Sequence, residues 1–236
     1  MIASIVNAIG IIIGGTAGTL FRSRVNDKLV NSLMAAMGLV VIAIGIQGVV
    51  GSSDTLCIVV CLAVGTLIGE ILHIDRFLDG IGNKVNNKIK NTRLAEGKFS
   101  EGFITASVLF TVGAMAIMGS IEAGINHNYS ILFTKTVLDL VSATALSAAM
   151  GIGVMFGFIP VLVWQGLLTL LASVLAPVLG ENVIAEMSGV GGALFVGMGL
   201  NMIGVTDRKV NVSNMLPAIL LPVAYVPLSA WLGGLF

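Results

Sequence analysis

Lys135 and Asp139 stand four residues apart in a stretch that is otherwise apolar or small, and Glu186 stands in another such stretch. A spacing of four places Lys135 and Asp139 on one face of a helix, near enough to pair. Lysine before aspartate is the weaker order for a helix, so local stabilisation is a poor reason for the pair. A charge at the centre of a membrane helix costs about 2.5–3.5 kcal/mol on insertion scales, and such residues face a protein interior or a water-filled cavity. Three further acids, Glu70, Glu122 and Glu181, fall at the ends of apolar runs, where water can solvate them. Gln47 and Asn201 lie deeper, with Asn7 and Gln165 nearer the ends of their own runs. Amides commonly tie membrane helices together, but their carbonyl oxygens can also coordinate a dehydrated cation or hold a polar solute. These groups suit the binding of an ion or small solute. Asp139 and Glu186 would be protonatable or cation-binding groups, Lys135 an internal counter-charge, and Glu122, Gln47, Asn201 and Gln165 accessory ligands.

Other chemistries find no residues. Cys57 and Cys61 read as small apolar residues on one helix face, and the two histidines, His73 and His127, fall near opposite ends of the predicted spans, so no metal site follows. Neither an HExxH, a phosphate-binding loop, a dinucleotide fingerprint nor a Ser/His/Asp set is present. The expectation is a protein that is not an enzyme and carries no catalytic residues, cofactor or metal.

The elements that must position these groups are membrane helices. Of 236 residues, 56% are hydrophobic and 10% charged, with a mean hydropathy of +1.03; a soluble domain carries about 25% charged residues. Twelve Lys and Arg balance twelve Asp and Glu, which offers no basic field for nucleic acid. A bilayer core about 30 Å thick needs roughly 20 apolar residues per helix. The chain supplies eight such spans, at 2–21, 29–50, 55–73, 103–121, 131–157, 160–179, 182–204 and 214–235. The division between the fifth and sixth is placed at Pro160, because proline suits the first turn of a helix.

Alternating these spans gathers Arg22, Arg24, Lys28, Arg76, Lys84, Lys88, Lys90, Arg93, Lys98, Arg208 and Lys209 on one side, eleven of the twelve cations. Short cytoplasmic loops accumulate Lys and Arg. That side is therefore predicted cytoplasmic, with both termini outside, and the first span reads as a retained helix. The polar segment 74–102 is a cytoplasmic linker with ten charges. On this topology Glu122, Lys135, Asp139, Glu181 and Glu186 all fall in the outer half. If they converge they form a vestibule of formal charge −3, which concentrates cations.

The chain also resembles itself. At a shift of 154, Gly38-Leu39-Val40 matches Gly192-Ala193-Leu194 and Gly45-Ile46-Gln47 matches Gly199-Leu200-Asn201. With a loop five residues longer, Leu62-Ala63-Val64 falls on Leu221-Pro222-Val223. Spans one to three then correspond to spans six to eight, and a displacement of five spans makes the copies antiparallel. Inverted repeats of this kind build many secondary transporters, with the site at the repeat interface. The predicted organisation is a first repeat at 1–73, the linker at 74–102, spans four and five at 103–157, and a second repeat at 158–236.

Gly10, Gly14 and Gly18 repeat every four residues on the first span, as do Gly65 and Gly69, Gly153 and Gly157, and Gly189, Ala193 and Gly197. Small residues at that spacing let helix backbones approach in a bilayer, within one chain or across a homo-oligomer. The run Gly189-Val190-Gly191-Gly192 could also let the seventh span break locally.

Together, Gly119-Ser120-Ile121-Glu122-Ala123-Gly124, Lys135 with Asp139, Gln165-Gly166, Gly189 to Gly192 and Gly197-Met198-Gly199-Leu200-Asn201 form a recognisable string. With the glycine-rich first span and the Gly65 to Glu70 segment, the chain resembles the prokaryotic integral-membrane family catalogued as domain of unknown function 554, also labelled YqgA/YdfK-like. The resemblance implies a prokaryotic plasma-membrane protein of a family often described as candidate transport proteins. It carries no substrate. The expectation is an all-α multi-pass protein and a small secondary transporter of an ion or small polar, preferentially cationic, solute. An ion channel and a non-transporting scaffold or sensor are the alternatives.

Overall fold

The computed structural model describes residues 1–22, 27–78, 80, 99–112, 114–205 and 208–233. Among them there is helix but no strand. We name the main helices α1 (Ile2–Arg22), α2 (Asp27–Val50), α3 (Thr55–Leu72), α4 (Phe99–Thr111), α5 (Ala114–Ile125), α6 (Ser130–Met150), α7 (Phe158–Leu170), α8 (Glu181–Ile203) and α9 (Pro222–Gly233). Six segments are long and apolar enough to cross a membrane singly: α1, Lys28–Val50 of α2, α3, α6, Ile152–Leu170 and α8. Two more are bent pairs, α4 with α5 at 53° and Val212–Leu220 with α9 at 47°, and counting each pair as one gives eight.

The helix ends follow local chemistry. The Asp54 carboxylate accepts from the backbone N–H groups of Leu56 and Cys57 and so caps α3. His73, at φ 50°, closes the other end with its N–H on the Glu70 carbonyl. The fifth and sixth spans divide at Gly151 rather than at Pro160. Gly151 takes φ 91° and ψ −164°, a conformation only glycine adopts without strain, and a 3-10 turn over Ile152–Gly157 leads into α7. Pro160 lies in the first turn of α7, where its missing N–H costs nothing. The fourth span starts earlier than expected, at Phe99, and is two helices rather than one. The seventh does not break at its glycines, since α8 runs unbroken from Glu181 to Ile203. Much of the expected linker, residues 79 and 81–98 with Lys84, Lys88, Lys90, Arg93 and Lys98, lies outside the described residues, as does Arg24.

Two close helix pairs organise the rest. Along α1 and α6, Gly10 meets Thr136, Gly14 meets Leu140 and Thr144, and Gly18 meets Thr144 and Ser147. The numbers rise together, so these helices are parallel. Along α2 and α8, Gly38 meets Gly199, Gly45 meets Gly192 and Gly48 meets Ser188; here they run opposite ways. Gly65 and Gly69 of α3 meet Ala218 and Asn214, again antiparallel, and Tyr225 of α9 lies beside Asp54 at the far end of α3. For α6 to run parallel to α1, the chain between α3 and α6 must traverse the bundle once, so α4 and α5 act together as a single crossing. Arg22, Lys28, Arg76, Arg208 and Lys209 then share one face of the bundle, called the basic face below. The outward surface is apolar, with Leu39, Val59, Leu67, Val137, Val163 and Trp231 all exposed, as lipid contact requires.

Why glycine is needed at the closest crossing is a matter of space. A β-carbon on Gly18 would collide with the Thr144 carbonyl and with Ser147. Gly18→Leu should therefore destabilise the purified protein by about 1–3 kcal/mol or more through overpacking. Gly180, with open space around it and φ −62°, should accept alanine within about 0.5 kcal/mol. Unfolding curves of both variants in detergent micelles check the contrast.

Candidate functional site

The buried polar groups separate into two clusters, and the first lies where α1, α6 and α7 meet. Asp139 is the tenth of 21 residues in α6, and at 1.5 Å per residue its Cα stands about 13 Å from one end of the helix and about 16 Å from the other, hence near mid-depth. Lys135 and Asp139 are 7% and 5% exposed. The Lys135 ammonium donates to both Asp139 oxygens, at 2.7 and 2.6 Å, and its Nζ stands 5.9 Å from the centroid of the Phe110 ring on α4. Asn7 of α1 donates to Asp139 Oδ2 at 2.9 Å and to Gln165 Oε1 of α7 at 3.3 Å. Asn7 and Gln165 are fully buried. Two opposite charges thus form a neutral pair whose carboxylate accepts three hydrogen bonds, and the amide bridge holds it against two other helices.

Around this pair are polar atoms with no partner among the described residues: Ser4 Oγ, Asn7 Oδ1, Gln165 Nε2 and Thr169 Oγ1. Each belongs to a side chain at least nine-tenths buried. Burying such groups unpaired costs about 1–3 kcal/mol apiece, so their concentration beside one ion pair is unusual for a merely structural contact.

The second cluster belongs to Glu186, which is 2% exposed on α8. Its Oε2 accepts from Ser52 Oγ at 2.6 Å, and its Oε1 from Ser53 N at 2.9 Å, Ser53 Oγ at 3.0 Å and Asp54 N at 3.1 Å. A carboxylate has about four lone-pair sites, so Glu186 is fully occupied in clamping the α2–α3 hairpin. The expected outer cluster of five charges does not assemble. Glu122 accepts from Asn126 just past the end of its own helix, Glu181 is exposed at the start of α8, and the Glu186 contacts stay on the hairpin.

The two amides matched by the repeat do not meet either. Gln47 is exposed in the last turn of α2. Asn201 lies in the last turn of α8 and pairs with the backbone of Val210, donating to its carbonyl at 2.8 Å and accepting from its N–H at 2.9 Å. It acts as a strap on the connecting segment. Glycine spacing reveals sequence correspondence, but a pair related by an antiparallel repeat falls at opposite ends of the membrane unless it lies near the symmetry centre.

On the basic face a cavity of about 380 Å³ opens between Asp75, Glu101, Thr105, Asn201, Lys209 and Asn211. Lys209 and Glu101 form an ion pair at its rim. Asp75 is tethered there by the Asn211 amide and by its own N–H on Asn214 Oδ1 at 2.8 Å. The Arg76 backbone N–H beside it holds the Asp75 carboxyl below the usual carboxylate range. Its contribution is present above about pH 3.9 and is lost only as pH falls through the lowered value, so this tether stays charged at neutral pH. A smaller cavity of about 190 Å³ lies beside Arg22, Asn31 and Glu101.

Sequence reasoning located Lys135, Asp139 and Gln165, which the structure brings together. It noticed Asn7 without placing it at the site, and it missed Ser4, Thr169 and Phe110. Ser4 and Asn7 share one face at a spacing of three, and Gln165 and Thr169 share another at a spacing of four; that pattern was the available signal.

A multi-pass, all-helical membrane protein with an ion pair buried at mid-depth is the class these features define. The chain belongs to the family described as protein of unknown function DUF554, whose model matches residues 2–227. It is 32% identical over 227 residues to the uncharacterized membrane protein YdfK of Bacillus subtilis strain 168, covering 94% of each chain. It is 31% identical over 232 residues to the uncharacterized protein YqgA of Escherichia coli strain K12, covering 98% of this chain and 97% of the relative. No solved structure gives a significant match.

The ion pair makes a thermodynamic prediction that does not depend on function. Lys135→Met leaves a buried carboxylate without its counter-ion and should cost about 3–5 kcal/mol, whereas Lys135→Met combined with Asp139→Leu should recover most of that loss. Unfolding of the single and double variants in detergent measures the coupling.

Proposed function

We propose that this protein is a small secondary transporter for an ion or small polar solute, with a cation favoured, and that the site is the Lys135–Asp139 pair with Asn7 and Gln165. The observation that carries the reading is the pair itself, near mid-depth and shared by three helices. Structural stability alone is a weak reason for it, because an apolar substitute of similar volume is often as stable. Intramembrane ionisable residues instead mark substrate, ion and proton pathways. Asp139 would bind the cation or proton, and Lys135 would hold the site neutral when it is vacated. The basic-face cavity would be the vestibule from which a solute approaches. We take that face as cytoplasmic because loop cations accumulate there; in a prokaryotic plasma membrane both termini would then lie outside.

An inverted repeat, as read from the sequence, would support the same reading. The 154-residue correspondence pairs Gly38 with Gly192 and Gly45 with Gly199. In the bundle Gly38 touches Gly199, and Gly45 touches Gly192. Exchanging each glycine for its repeat partner turns the first contact into the second, the reciprocity of a two-fold interface. A pseudo-two-fold axis across α2 and α8 is the arrangement from which alternating access follows in inverted-repeat transporters.

Reconstituted protein on a solid-supported membrane, given jumps of sodium, potassium or a primary alkylamine, should show saturable charge movement for at least one of them. Asp139→Asn should abolish it. Full flux in Asp139→Asn would remove this site from the mechanism, and currents that never saturate would mark a channel instead.

A further inference from the structure

The unpartnered atoms around the ion pair have a direction and a chemistry. On α1, Ser4 lies one turn before Asn7 on the same face; on α7, Thr169 lies one turn after Gln165. These two helices run antiparallel, since Gly15 and Thr16 meet Met155 while Asn7 meets Gln165. One turn back along α1 therefore matches one turn forward along α7, so Ser4 and Thr169 occupy the same level. That level is one turn from the Asn7–Gln165 bridge, on the side away from the basic face. Met1, 42% exposed, reaches α7 at Gly166 on that side.

The atom types distinguish the possible occupants. Asn7 Oδ1 only accepts, Gln165 Nε2 only donates, and the hydroxyls of Ser4 and Thr169 do both. A bare metal cation wants oxygen ligands throughout and would be repelled by the Gln165 N–H and the Lys135 ammonium. Water satisfies donors and acceptors alike and typically makes about three hydrogen bonds in a buried polar site.

We propose that Ser4, Asn7, Gln165 and Thr169 line a water file from the non-basic face to Asp139, and that the ion it delivers is the proton. A proton arriving along the file is taken up by the Asp139 carboxylate. The Lys135 ammonium thereby loses its counter-charge and is free to leave the carboxyl or give up a proton of its own. Among the described residues the charged groups that face Asp139 are few: Lys135 on its own helix, none from α1 or α7, which present Asn7 and Gln165, and none from α4, which presents the Phe110 ring. Glu122 on α5 bonds Asn126, and Arg22 of α1 binds the carbonyls of Ala148 and Ala149 at the far end of α6. Toward the basic face the α1–α6 seam is closed where Gly14 and Gly18 press on Leu140 and Thr144, so a proton held on Asp139 leaves to that side only when this seam parts.

This inference deepens the transporter reading and rests on the same site, but it can be tested apart from any solute. With Cys57 and Cys61 replaced by alanine, Ser4→Cys and Thr169→Cys in sealed proteoliposomes should react with methanethiosulfonate ethylammonium several-fold faster than Val163→Cys, which faces lipid on the same helix as Thr169. In vesicles loaded with a pH-sensitive dye and given a potassium diffusion potential through valinomycin, proton uptake should fall several-fold in Thr169→Val, persist in Thr169→Ser, and vanish in Asp139→Asn. Protection of both cysteines to the level of Val163→Cys, or unchanged proton uptake in Thr169→Val, would overturn the file while leaving any measured solute flux intact. Labelling and proton uptake without flux of any tested solute would support the file and count against the transporter.

Discussion

Charge neutrality at mid-membrane is the constraint on which the rest of this structure depends. Neither Lys135 nor Asp139 could remain charged alone among apolar helices, where each would cost several kcal/mol. Direct contact at 2.6–2.7 Å removes the net charge but not the demand for hydrogen bonds. Asn7 supplies one of these, and in doing so fixes α1 to α6 and, through Gln165, to α7. The geometry of three helices is thus tied to one pair, and any change in the bonding of that pair is felt on all of them.

Such precision requires helices that cannot drift. In a bilayer no hydrophobic effect draws one helix to another, so close contact has to come from shape. Gly10, Gly14 and Gly18 let α1 approach α6 until side chain and backbone touch, and this parallel seam sets the level at which Asn7 meets Asp139. On the opposite seam Gly45 and Gly192 do the same for α2 and α8. Glu186 then anchors α8 to the α2–α3 hairpin through four hydrogen bonds. The two seams differ in consequence: one positions an unsaturated polar site, while the other ends in a saturated clamp.

This difference explains what was legible in the sequence. Hydropathy and the run of loop cations are one-dimensional properties, and they found α1, α2, α3 and α8 to within two residues and the start of α6 to within one. The Lys135–Asp139 contact is local to one helix face, so spacing alone predicted it. The supposed kinship of Glu186 with Asp139 was an inference from shared depth, and depth says nothing about azimuth: Glu186 faces the hairpin. From sequence the division reads at Pro160 and not at Gly151, because a glycine inside an apolar run looks like a packing residue until its φ is known. Asn7 and Gln165 were visible as amides, but their convergence depends on an antiparallel register between helices far apart in the chain.

On the transporter reading, the bonding of the pair constrains the cycle. A cation that binds Asp139 competes with the Lys135 ammonium for the same two oxygens. Once displaced, the ammonium still faces the Phe110 ring, but a cation–π contact is worth far less than a buried ion pair. The lysine must therefore give up a proton or swing to another acceptor, and either event re-bonds Asp139 Oδ2, the oxygen through which Asn7 links α1 to α6. Cation entry and helix rearrangement are then the same event described from two sides. That coupling distinguishes a carrier from a pore, in which an ion must pass without the walls having to re-pair.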